Sequence, residues 1–266
     1  MPTRDRYAEG IPSWVDLASP DTDGSKEFYG TLFGWAATDA PAGDGAYTMF
    51  SKDGRVVAGM GQLTDEQAAA GVPPVWSTYI AVDDLDASLA RANEAGAVVI
   101  APAMEVGDTG RLAFITDPTG AAVGMWEAGT HRGAQLVNEH GSLVWNELLT
   151  DDTNAATAFY CDVFGYTVQV YEMPTGPYTA FWAEGNVEGH AAAGMMAMPS
   201  DMAGAPNHWG VYFAVDDVDA AVELATAHGA ELILAPMDVA AAGRMAVIRD
   251  PQGAVLTLLV PEDPLA

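Results

Sequence analysis

A duplication constrains this chain more than any other feature. Trp14-Val-Asp-Leu-Ala-Ser-Pro-Asp21 is answered by Trp145-Asn-Glu-Leu-Leu-Thr-Asp-Asp152, 131 positions later. Phe28-Tyr-Gly-Thr-Leu-Phe-Gly-Trp35 is answered by Phe159-Tyr-Cys-Asp-Val-Phe-Gly-Tyr166, and the run from Trp76 to Ala87 by the run from Trp209 to Ala220. Gly110-Arg111 with Asp117-Pro-Thr-Gly-Ala121 is answered by Gly243-Arg244 with Asp250-Pro-Gln-Gly-Ala254. Matches this numerous, in one order, require two copies of a single architecture. The expected division is a first domain over 1–130, a linker over 131–137 and a second domain over 138–266.

Each copy holds a weaker repeat of about 63 residues, in which a strand-like run ends in an Asp that opens a helix. Those residues are Asp21, Asp84, Asp152 and Asp217. The unit then reads as an apolar strand, an Asp N-cap, an amphipathic helix, a Gly stop and short strands joined by Gly and Pro turns. In the second unit Asp84 or Asp86 caps a helix carrying Leu85, Leu89 and Ala92, Gly96 ends it, and Val98 begins the next strand. Asp117-Pro-Thr-Gly120 and Asp250-Pro-Gln-Gly253 are turns between the last two strands, with Pro presetting φ and Gly supplying a positive φ. The fold class is therefore α+β, built from four βαβββ units.

Composition narrows the partners. The 266 residues carry 37 acidic and 10 basic side chains, a net charge of -27. Both copies share the imbalance, with 19 acids against 8 bases up to Arg132 and 18 against 2 after it. Phosphate recognition rests on clustered Lys and Arg, so nucleic acid is an unsuitable partner. Seven Trp, 9 Tyr and 8 Phe in a half-hydrophobic chain supply a packed core. No apolar run approaches the ~20 residues that span a bilayer, and no signal-type stretch follows Met1. The single Cys161 has no disulfide partner and reads as a small buried hydrophobe, so a cytoplasmic protein is expected.

Four such units, with Phe28-Tyr29 and Phe33-Gly34, Phe159-Tyr160 and Phe164-Gly165, the Val82-Asp-Asp84 and Val215-Asp-Asp217 openings, and the Asp-Pro-x-Gly turns, resemble the vicinal oxygen chelate superfamily. This is the glyoxalase and bleomycin-resistance fold. The Trp-x-Asp/Glu-Leu opening and the Gly-Arg-x-Ala-x-x-x-Asp-Pro-x-Gly-Ala block look like the tandem glyoxalase-like proteins labelled hydroxylases beside actinomycete antibiotic pathways. The resemblance implies two tandem glyoxalase-like domains whose mixed sheets curl into cups, with units paired within a chain or across a homodimer. It further implies divalent-metal positions at Trp14 and Trp145, Ser77 and Gly210, and Gly124 and Thr257. None of these is a usual ligand, so neither a metal nor another cofactor is expected. The five histidines do not restore a site; His131 in the linker and His228 at a helix end read as structural.

Strand alternation sends residues two apart to one face. If Trp14 faces the cup so does Asp16, and Trp145 brings Glu147 with it. A Trp beside a carboxylate at matching repeat positions is the sharpest constellation here, because a carboxylate on an apolar strand needs a donor, a cation or a raised pKa. Tyr79 and Tyr212, Tyr47 and Tyr178, Trp126, and the methionines Met49, Met60 and Met195 complete the expected pocket for a flat apolar ligand. Nucleotide-loop, serine-elbow, paired-cysteine and His-Glu-x-x-His motifs are missing from the sequence. Two functions follow as expectations. One is metal-free binding of a small aromatic or polyketide-like, cationic molecule in antibiotic biosynthesis or self-resistance. The other is an enzyme of the glyoxalase or hydroxylase type, with Asp16 or Glu147 as general base or with a divalent site elsewhere.

Overall fold

The computed structural model describes residues 4–42, 45–174, 176–186, 190–202 and 204–262. The first unit comprises β1 (Pro12–Ser19), α1 (Thr22–Phe33), β2 (Ala36–Ala42), β3 (Gly45–Lys52) and β4 (Arg55–Gln62), followed by a short helix α2 (Asp65–Ala69). The second comprises β5 (Val75–Val82), α3 (Leu85–Glu94), β6 (Val98–Val106), β7 (Gly110–Thr116) and β8 (Ala122–Ala128). The second half repeats this with β9 (Leu143–Thr150), α4 (Thr153–Phe164), β10 (Thr167–Met173), β11 (Gly176–Trp182) and β12 (Ala193–Ala197), then β13 (His208–Ala214), α5 (Val218–Ala227), β14 (Glu231–Val239), β15 (Gly243–Arg249) and β16 (Val255–Pro261).

Local chemistry sets the helix limits. The carboxylates of Asp21, Asp84, Asp152 and Asp217 each accept a backbone N–H three residues on, satisfying donors that the first helical turn leaves free. Gly34 and Gly165 then end α1 and α4 in the left-handed region, at φ 72° and 67°, where a side chain would be strained.

Each half closes its own eight-stranded sheet, in the orders β2-β3-β4-β1-β5-β8-β7-β6 and β10-β11-β12-β9-β13-β16-β15-β14. The two units of a half meet through antiparallel β1 and β5, or β9 and β13, and each of these central strands runs parallel to the last strand of its own unit. Pairing is thus within each half of the chain.

The helix-bearing faces of the two sheets bury one another. One core cluster joins Phe28, Tyr29, Phe33 and Trp35 of the first unit to Val211, Phe213, Val222 and Leu258 of the fourth. The other joins Ile80, Leu85 and Met125 of the second unit to Phe159, Tyr160 and Phe181 of the third. Polar struts cross this interface in matching pairs. Tyr29 donates to Asp250 Oδ2 at 2.6 Å and accepts from Trp76 Nε1 at 2.9 Å; Tyr160 donates to Asp117 Oδ2 at 3.0 Å and accepts from Trp209 Nε1 at 2.8 Å. Asn146 on β9 donates to Thr78 on β5 at 2.7 Å between them. With the helix faces spent on each other, the opposite face of each sheet is the one left for the expected cup. No helix among the described residues is long and apolar enough to cross a membrane.

Candidate functional site

Each cup is built around one carboxylate held by two tyrosines. In the first, Tyr79 donates to Asp16 Oδ2 at 2.8 Å and Tyr47 donates to the same oxygen at 3.1 Å. Trp14 Nε1 in turn donates to the Tyr47 hydroxyl at 3.0 Å. In the second, Tyr212 donates to Glu147 Oε2 at 2.5 Å, Tyr178 also hydrogen-bonds Glu147, and Trp145 Nε1 donates to the Tyr178 hydroxyl at 2.9 Å. The sequence-derived residues Trp14, Asp16, Tyr47 and Tyr79, and Trp145, Glu147, Tyr178 and Tyr212, therefore converge as two copies of one relay. The arginines that could have neutralised these acids lie elsewhere: Arg111 pairs with Asp86, Glu105 and Glu127, and Arg244 with Asp219 and Asp238.

Glycine makes the relay possible. A Cβ on Gly59 would lie 1.8 Å from the Tyr47 hydroxyl oxygen, and one on Gly194 would lie 1.8 Å from that of Tyr178. Bare backbone at these two strand positions lets the phenol reach the carboxylate. The same alternation corrects the expectation for Met60 and Met195. Each follows its glycine by one residue, so each points to the helix side and is fully buried in the core, away from the cup. Met49 stays on the cup face, half-buried beside Trp14, Tyr79 and Trp126.

Burial pushes the Asp16 carboxyl up to about 6, against the opposing pull of the Tyr79 and Tyr47 hydrogen bonds. Glu147 is raised for the same reason, opposed by Tyr212 and Tyr178. Burial first, and then the adjoining carboxylate, holds all four tyrosines well above 10, so they remain donors. Asp16 is half-buried and Glu147 buried. Both tyrosine hydrogen bonds to Asp16 fall on Oδ2, so among the described residues its Oδ1 is left for a donor or a proton.

Several lining residues were not singled out in the sequence. Leu112 and Phe114 on β7 pack half-buried against Trp14, Tyr79 and Trp126, with Phe114 5.0 Å from the Tyr79 ring. Met104 pairs with Leu112, and in the second cup Met196 pairs with Tyr178 and Met245 with Leu259. The two-residue alternation of β6, β7, β12 and β15 carries the signal for them. His131 lies in the expected linker. Its ring meets Trp14 edge-on at 4.4 Å and Trp126 at 5.6 Å, its carbonyl accepts from Trp126 Nε1 at 3.0 Å, and burial lowers its pKa to about 4. His228 Nδ1 sits 2.8 Å from Leu224 O at the end of α5, a local structural contact.

The sequence model of the glyoxalase/bleomycin resistance protein/dioxygenase superfamily matches residues 11–125 and 142–258. The chain belongs to this superfamily. CFP32 of Mycobacterium tuberculosis is 47% identical over 263 residues, covering 98% of both chains. The anthracycline biosynthesis protein DnrV of Streptomyces peucetius is 38% identical, covering 94% of this chain and 92% of its own. Among solved structures, the 2,3-dioxygenase LapB of Pseudomonas sp. KL28 superposes with a TM-score of 0.65 at 15% identity, over 95% of this chain and 93% of its own. The Mn(II)-bound glyoxalase of Novosphingobium aromaticivorans gives 0.62 at 16% identity, over 94% and 82%.

A glyoxalase-superfamily metal ion does not fit the donors these cups offer. Trp14 and Trp145 spend their N–H groups on tyrosines, and neither offers a lone pair. At Gly124 a Cβ would lie 2.5 Å from Tyr79 Cδ1, so a ring lies where a ligand side chain would start. One carboxylate per cup, already accepting from two hydroxyls, leaves a divalent ion short of anionic ligands. Among the described residues no group of three or more His, Cys, Asp or Glu is placed to hold a metal.

Proposed function

We propose that the protein binds a small, flat, polyketide-like or otherwise aromatic molecule carrying a positive charge, without a metal ion, in antibiotic biosynthesis or self-resistance. The observation that carries this reading is the pairing, in each cup, of an indole and two phenols with a single carboxylate that no arginine neutralises. Aromatic walls suit a planar ring system, and an ionised carboxylate beside them suits an amine. The surrounding charge of -27 raises the local concentration of a cation. The relation to an anthracycline biosynthesis protein supports the same ligand class. In this reading the working units are the domains 1–130 and 138–266, the protein acts in the cytoplasm as a monomer or homodimer, and neither nucleic acid nor membrane is a partner.

A second reading rests on Asp16. A half-buried carboxyl with a pKa of about 6 is a competent general base near neutral pH, with Tyr47 and Tyr79 orienting it. Metal analysis of protein purified without chelators separates these readings from a metalloenzyme, since a stoichiometric divalent ion refutes the metal-free proposal. Calorimetric titration with an amino-sugar anthracycline, repeated on Asp16→Asn and Glu147→Gln, distinguishes the two. Binding without product supports the first reading; turnover abolished by one of these substitutions supports the second.

A further inference from the structure

The two cups differ in whether their indole is available to a ligand. In the first, Trp14 is 3% exposed and Trp126 5%, because the linker lays the His131 ring against both. That imidazole is uncharged near neutral pH, and its buried Nε2 has no hydrogen-bond partner, so it behaves there as an apolar ring. In the second cup Trp145 is half-buried, and among the described residues no ring packs against it. Leu259 stands where the first cup has Trp126. Asp16 remains half-buried, so water and a small cation still reach the first carboxylate, while the stacking surface beside it is taken.

Resting on the reading that a cup receives a planar molecule, we propose that the second cup alone takes its ring system, stacked on Trp145, because the linker's His131 fills the equivalent place in the first. The linker is anchored independently of that side chain. Trp126 Nε1 bonds the His131 carbonyl, Ala134 N donates to Ser13 O at 2.8 Å, and Gln135 N donates to Val56 O at 2.7 Å. Removing the imidazole therefore exposes the Trp14 face without releasing the chain segment.

The test is isothermal titration of the intact protein with daunorubicin, a planar ring system bearing an amino sugar. The wild type is expected to bind one molecule per chain, and Trp145→Ala to weaken that binding about tenfold or more through the lost stacking surface. His131→Gly is expected to bind a second molecule, and the double variant Trp145→Ala, His131→Gly to regain one site. Circular dichroism and thermal unfolding check that each variant is folded; should His131→Gly unfold, wild-type stoichiometry and Trp145→Ala decide. Two sites in the wild type, or unchanged affinity in Trp145→Ala, overturns this assignment and leaves the cup-binding reading standing. Absence of binding by the wild type and by His131→Gly overturns both.

Discussion

The struts between the halves make Tyr29→Phe a demanding test of how the two sheets are held. Phe preserves the ring in its buried site and removes one oxygen, which donates to Asp250 Oδ2 at 2.6 Å and accepts from Trp76 Nε1 at 2.9 Å. Asp250 is 3% exposed and Trp76 2%, so water cannot replace the missing partner. A hydrogen bond to a charged acceptor contributes about 1.5–3 kcal/mol, and a buried donor left unpaired costs about 1–3 kcal/mol. Part of this is recovered, because Asp250 Oδ1 keeps the amides of Gln252 and Ala254 and the carboxyl, already raised by burial, can take up a proton. The expected loss is about 2–4 kcal/mol, or roughly 5–15 °C in Tm for a chain of this size. Urea unfolding at neutral pH, followed by tryptophan fluorescence and with an unchanged m-value, measures it. Tyr171→Phe, at an exposed site, serves as the control and should shift stability by less than about 0.5 kcal/mol. A Tyr29→Phe loss no larger than the control's would refute the idea that these relays hold the halves together.

Other outcomes follow from the cups. The Asp16 carboxyl is raised from 3.8 to about 6, so its neutral form is favoured by the fold: its contribution is intact below about pH 4 and is lost as pH rises through about 6. Asp16→Asn, which imitates the neutral form, should therefore be more stable than wild type at pH 8 by about 1–3 kcal/mol, with the gap closing by pH 4; parallel stability curves would refute this. Cation binding in the first cup should strengthen as pH rises through the same range, read by titration at pH 5 and pH 7.5. Gly194→Ala places a Cβ 1.8 Å from the Tyr178 oxygen, so the phenol must leave Glu147 and Trp145, at about 1–3 kcal/mol, visible in near-ultraviolet circular dichroism. Dialysis against a chelator should leave Tm unchanged, and a fall of several degrees would restore the case for a metal.

Much of the cup was legible because the duplication supplied a control for every residue. Asp16 alone on an apolar strand is ambiguous; its recurrence as Glu147, each two residues from a Trp, is what singled the pair out. Alternation put Tyr79 and Tyr212 on the strand face where they hydrogen-bond Asp16 and Glu147. Met60 and Met195 were expected in the pocket for their side-chain type, and alternation from Gly59 and Gly194 turns both into the core; the importance of those glycines lies in the tyrosine each admits, a contact from another strand. Trp76 and Trp209 appeared only as repeat markers, since their partners Tyr29 and Tyr160 become neighbours through the packing of helix on sheet.

The order of residues alone determined four βαβββ units in two copies, their Asp-capped helices, their turn positions and the acidic charge of both halves. These are local or periodic properties, expressed in neighbouring residues and their spacing. Only the tertiary structure decided that each half pairs its own units and that the first unit buries itself against the fourth, and the second against the third. It also decided that the linker lays an imidazole against Trp14 and Trp126, while Trp145 is half-buried. Each of these depends on contacts between segments far apart in the chain, where burial and hydrogen-bond satisfaction select among arrangements that the sequence pattern permits equally.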